Sequence, residues 1–209
     1  LTVSAVNGDA TLRQANLTGA TGDLAITAGG NAILGEDDAS SGIGTDRWFE
    51  RAAGSTGTAT IAGGTGAFIN LDHSAALGSV SAEQVEINVA TGNLSIGQLV
   101  ATDFDASVLV ENGSLTVGSA SAANGTIDLE AGGGDLTLLS SVYGIDTYLT
   151  AHGVLDATAD TVIGTNYIEL TGGEIRAAAL QSGGDIDVLS NTGAITVAAV
   201  NSTGGDAIF

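Results

Sequence analysis

Proline, cysteine, methionine and lysine are all missing from this chain of 209 residues. Each absence removes a class of explanation. Without cysteine there is no disulfide framework and no thiolate zinc site. Without lysine the only cations are Arg13, Arg47, Arg51 and Arg176. Phosphate backbones are held by clustered Lys and Arg, so nucleic acid is excluded as a partner. Anionic membrane surfaces are disfavoured for the same reason. Aromatic residues make up 4% of the chain. That is too few for the girdles of a transmembrane barrel, and the apparent strands are too short to span as one. No run of apolar residues reaches the ~18 of a membrane-crossing helix. No signal peptide is visible, and the chain opens on Leu1, so it reads as a mature segment or a fragment.

What is present is acid, glycine and small aliphatic side chains. Twenty-four Asp and Glu against four Arg give a net charge of −20. The plain reading is a solvated surface that resists aggregation. A cationic partner and divalent cations are the other readings. Glycine is 32 of 209, well above the usual ~7%. Apolar residues are 44%, enough for a long thin core and too many for a disordered chain.

These residues recur with a period near twenty. One apolar column runs Leu94, Leu115, Leu136, Leu155, Ile175, Ile195. A second runs Ile87, Val108, Leu129, Leu149, Ile168, Val188. A fixed period of this size with alternating polarity means one solenoid coil per repeat. Gly92–Ile96, Gly113–Val117, Gly134–Leu138, Gly173–Ala177 and Gly193–Val197 read as first strands. Val85–Val89, Thr126–Leu129 and Asp185–Val188 read as second strands, with a third short segment between, such as Gln98–Val100. Three strands per coil predict an all-β, right-handed parallel β-helix of roughly ten coils, forming one domain over 1–209. Asn112-Gly113 and Asn124-Gly125 could instead make hairpins. The columns argue against that, because they recur one whole coil later.

Residues 35–55 break the frame and read as a loop inserted into one coil. They hold Glu36, Asp37 and Asp38, which with Asp46 form a weak candidate for calcium through oxygen ligands; a solvated charge run is the plainer account. Arg47, Trp48, Phe49 and Arg51 are the candidate partner contact, since Trp and Arg are common interface anchors. The alternative is a plug pinning the loop to the rod.

The stretches GNLSIGQLVA (92–101), GSLTVGSASA (113–122), GDLTLLSSV (134–142) and GAITVAAVNSTGGDAI (193–208) resemble the repeat regions of filamentous haemagglutinin-like exoproteins. These are the β-helical adhesins of two-partner secretion systems. The resemblance covers 57–209 well and 1–34 loosely. It implies an extracellular rod on a bacterial surface, passed across the outer membrane. It further implies roles in adhesion or biofilm matrix, with a host-cell, glycan or matrix ligand, other segments of a longer chain, or self-assembly as partners. The family's secretion domain carries Asn-Pro motifs, which a proline-free chain lacks. The resemblance carries over no catalytic residue. The absence of cysteine suits a chain that crosses a pore unfolded.

Enzymes also use this fold. A polysaccharide lyase needs a base, and there is no lysine. A hydrolase needs two carboxylates ~5–9.5 Å apart; Asp103 with Asp105, and Asp185 with Asp187, are spaced for that. An acidic rod collects such pairs by composition, so the expectation is no catalysis and no cofactor. A polysaccharide-active enzyme and a fibre or surface-layer subunit are the competing readings. His73 and His152 lie far apart, and the Gly-Gly-Asp stretches ending at Asp135 and Asp185 lack the repeated frame of calcium-binding β-rolls. Arg176 and Glu174 read as a surface pair on one strand face.

Overall fold

The computed structural model describes residues 1–17, 23–35, 49–51 and 58–209, with backbone alone for 15–17 and 49–51. Among these residues there is no helix. Nineteen strands form one sheet with parallel pairing throughout. The chain winds as a β-solenoid of about 9 turns with ~20 residues per turn. At ~4.8 Å per turn the rod is roughly 45 Å long.

Each full coil has three faces. Face A carries Leu94, Leu115, Leu136, Leu155, Ile175 and Ile195 in direct register. Face B carries the inward line that runs from Val3 and Ile26 through Val80, Leu99 and Val142 to Leu180 and Val200. Face C carries Ile87, Val108, Leu129 and Leu149. The reason is local. Strand residues alternate between the two sides, and here Leu, Ile, Val or Ala falls on the inner side at nearly every turn. In Leu94–Ala101, Leu94, Ile96, Leu99 and Ala101 are buried while Ser95 and Gln98 are exposed. Leu136 is fully buried between Leu115 and Leu155, as the period predicts.

Faces A and B are often one bent strand. In Leu94–Ala101 and Leu115–Ala122 the ladder skips Gly97 and Gly118 at the bend. A side chain at Gly118 would run into the carbonyl oxygen of Gly97 in the coil before. The bend therefore needs glycine because backbones stack at contact distance there.

The second predicted column slips by two residues at one step. Leu149 pairs with Leu170, and Leu170 with Val188; Ile168 pairs with Thr147 and Ile186 in the neighbouring inward line. Ile168 and Leu170 are both buried, so polarity alone does not tell them apart. The cause is an irregularity in the ladder between Gly144 and Asp146, opposite Gly164 and Tyr167. Thr147 has no exposure in that line and donates its hydroxyl to the Ile163 carbonyl at 3.0 Å, so its buried oxygen is satisfied.

Most of 35–55 lies outside the described residues. Phe49–Arg51 is a strand, paired in parallel with Ala15–Leu17 in a separate two-stranded sheet. By order along the chain this pair takes the place that face A holds in later coils. Within the expected insertion, Phe49–Arg51 is thus ladder, and the reading of 35–55 as a loop otherwise falls outside the described residues. Three residues are too few to show alternation in the sequence.

Candidate functional site

The corners between faces are built by short polar side chains. Asp9 Oδ1 accepts the Asn31 N–H, Asp23 Oδ1 the Thr58 N–H, Asp105 Oδ1 the Thr126 N–H and Asp185 Oδ1 the Asp206 N–H, all at 2.7–2.8 Å. At the turn into face A the same link runs from Ser74 to Asn93, Asn93 to Ser114, Ser114 to Asp135 and Asp135 to Val154. In each case the acceptor lies in the earlier coil and the donor in the later one. This accounts for the Gly-Gly-Asp stretches. Asp135 and Asp185 hold backbone, and glycine lets the corners approach. Asp105 and Asp185 are therefore corner residues, each with Oδ1 on a backbone N–H of the next coil, whereas Asp187 accepts from the Tyr167 hydroxyl.

Among the described residues, a cluster of polar and aromatic side chains that touch from coil to coil lies on the outside of face C. Register places Glu86, Ser107, Asp128, Tyr148, Glu169 and Asp187 in one outward line. Tyr167 leans across its end. Its hydroxyl donates to Asp187 Oδ2 at 2.6 Å and lies 3.4 Å from Glu169 Oε2. The rings of Tyr148 and Tyr167 are 5.7 Å apart and tilted by 56°, a common geometry for aromatic pairs. Asp187 Oδ1 is buried with no partner. Asn166 donates to Asp146 Oδ1 at 2.8 Å on the adjoining corner.

The electrostatics follow from that crowding. The hydrogen bond to Asp187 holds the Tyr167 proton, and burial with the Asp187 and Glu169 charges adds to it, so its phenol titrates well above the usual range. Burial first, then the charges of Asp146, Glu169 and Asp128, raise Tyr148 as well. Asp128 is raised by loss of hydration and then by Glu130, two residues along the same side of its strand. The residue as a whole keeps an open side to water, so this effect is modest. Both phenols are donors at neutral pH, not bases. Aromatic faces beside carboxylates suit recognition of hydroxyl-rich or cationic ligands.

The sequence reading did not single out this cluster. Its signal was the spacing: Tyr148 and Tyr167, then Glu169 and Asp187, each stand about one coil apart. Elsewhere, Arg176 and Glu174 form the expected surface ion pair at 2.8 Å. Asp156, opposite Arg176, has its carboxyl held below the usual range, chiefly by the Thr158 hydroxyl. His73 and His152 are exposed and in separate coils. Among the described residues no group of three or more His, Asp or Glu is placed to hold a metal ion. Among them, too, no helix is long and apolar enough to cross a membrane. Glu36, Asp37, Asp38, Asp46, Arg47 and Trp48 lie outside the described residues, and Phe49 and Arg51 are placed by backbone only. No protein-family model matches the chain, and no curated protein or solved structure matches it.

Proposed function

We propose that this chain is a rod segment of a large secreted bacterial surface exoprotein, non-catalytic, serving adhesion or extracellular matrix formation. The observation that carries this reading is the parallel ladder itself, which keeps faces B and C in register from the first coil to the last. Such a fold holds a surface at a fixed distance and offers long flat faces for contact. Contact would fall on the outward line of face C and on Arg47, Trp48, Phe49 and Arg51, and calcium at Glu36, Asp37, Asp38 and Asp46 belongs to the same proposal. The test is binding of the purified chain to bacterial and host cells and to glycan arrays. Comparison with Tyr148→Ala and with an Arg47→Ala, Trp48→Ala double variant separates the two surfaces. Binding by none of these targets would remove the adhesive role.

The second reading, a polysaccharide-active enzyme, is favoured by one observation: Glu169 and Asp187 approach the same Tyr167 hydroxyl. A reducing-end assay on acidic and neutral polysaccharides decides it. Turnover lost in Asp187→Asn would establish the enzyme; no turnover would leave the structural rod.

A further inference from the structure

The three faces do not share the charge equally. Among the described residues, the outward lines of face C carry Glu86, Asp128, Glu130, Glu169 and Asp187, and that of face A carries Asp156 and Arg176. Face B has two outward lines, one from Thr2 to Ala199 and one from Ser4 to Asn201. Neither holds an acid or an Arg in any described strand. Apart from Gln98 and Gln181, the larger side chains on this face are apolar. Val100, Tyr143 and Ile163 lie on one line and are half-buried, while Phe104 and Ile145 stand out from the corner with face C at 57% and 36% exposure. Asp103, Asp105 and Asp146 share that corner. We propose that face B is where a second copy of this chain packs, side by side, as an antiparallel two-fold pair.

Three observations fit that occupant. The first is composition. The centre of a protein interface is depleted of charge and enriched in aromatic side chains, with polar groups at its rim. Face B has that anatomy, with Tyr143 inside and aspartates along its corner. The second is the sign of the charge. A cationic partner would be drawn to the acids of face C, and face B offers it no counter-charge. For a copy that also carries −20, the uncharged face is the one that brings two rods together with their acids turned apart. The third is area. The rod is roughly 45 Å long and about 17 Å separates the corners of face B, so two such faces meeting ~10 Å apart cover ~750 Å² on each copy. The total of ~1,500 Å² is what a stable interface of ordinary size buries.

In such a pair the line that holds Tyr143 lies along the same line of the other copy, running the opposite way, and the contact closes at two. A two-fold axis between Val100 and Ser121 sets Tyr143 and Ile163 over Ser81 and Ala62 of the other copy, large side chains on small ones. Face C stays outward in both copies. The contact uses the side of the rod and not its ends, so it holds for a rod of any length. The acids at the rim oppose it, and salt that screens them strengthens it. The inference stands apart from the adhesive reading: rods that pair but bind no ligand would sustain it.

The experiment is sedimentation velocity of the 209-residue protein over rising concentration, at low and high salt, with a crosslinking arm. The expected result is a mass that reaches two copies and stops, at lower concentration in high salt. Tyr143→Glu and Ser81→Glu, each checked for fold by circular dichroism and melting, should each raise the dissociation constant by roughly tenfold or more, because each buries an unpaired charge in the contact. Thr150→Glu, on face C, should leave it unchanged. The chain has no cysteine, so Ser121→Cys supplies a single reactive thiol. A bis-maleimide that spans ~10 Å should join two copies through it, and should join none through Thr150→Cys. A wild type that stays monomeric under all conditions, growth past two copies, pairing that survives both glutamate variants of face B, or crosslinking through Thr150→Cys alone would overturn the proposal.

Discussion

Leu136 shows what a single residue does in this fold. It is fully buried and touches its own kind above and below, Leu115 and Leu155. A thin core has no second layer to close over a gap. Leu136→Ala is expected to cost about 2–5 kcal/mol through lost transfer and the cavity left behind. Chemical denaturation of the variant beside wild type measures it, with Thr137→Ala as an outward control expected within about 0.5 kcal/mol. Tyr167 makes the complementary case at the surface. Its folded pKa is raised above the ordinary value, so its proton stabilises the fold below about pH 10, and this contribution is lost as pH rises further. Ultraviolet titration should show it ionising after an unperturbed tyrosine. In Asp187→Asn it should ionise earlier, because the charged acceptor is gone.

At the scale of the element, the corner matters more than the strand. Each coil turns through links in which a side-chain oxygen accepts an N–H from the next coil, and Asp135 lies in the chain that runs from Ser74 to Val154. Asp135→Ala removes the acceptor and frees an N–H at an exposed corner, with an expected loss of about 1 kcal/mol. Asp135→Asn keeps an oxygen there and should lose less. Urea denaturation of the two variants gives the order, and equal losses would mean the carboxylate acts through charge instead.

The same scale explains what was legible. Face A could be read because Leu94 to Ile195 vary only among Leu and Ile and sit after a Gly-polar pair in most coils. The slip at Ile168 could not, since Ile168 and Leu170 are equally apolar and the irregularity that separates them lies at a corner. The strand Phe49–Arg51 was hidden by its length. The Tyr148, Tyr167 and Asp187 cluster was hidden differently: its members belong to three coils, and only a register correct to one residue brings them together.

For the whole molecule the governing quantity is charge. With 24 acids against four Arg, the folded rod concentrates repulsion that the extended chain relieves. Added salt is expected to raise the melting temperature, since it screens repulsion between exposed carboxylates ~10 Å or more apart. Differential scanning calorimetry from low to high ionic strength checks this. A melting point that falls with salt would place the stability in ion pairs instead.

The winding of the chain has a mechanical consequence. Strands lie across the rod, so a pull on the two ends of the polypeptide does not load a whole coil at once. It peels the outermost strand, bond after bond. Each released coil of ~20 residues surrenders one step of ~4.8 Å in rod length and yields roughly 70 Å of extended chain. Under tension the rod would behave as a spool, paying out line at low force while the coils still wound keep their shape.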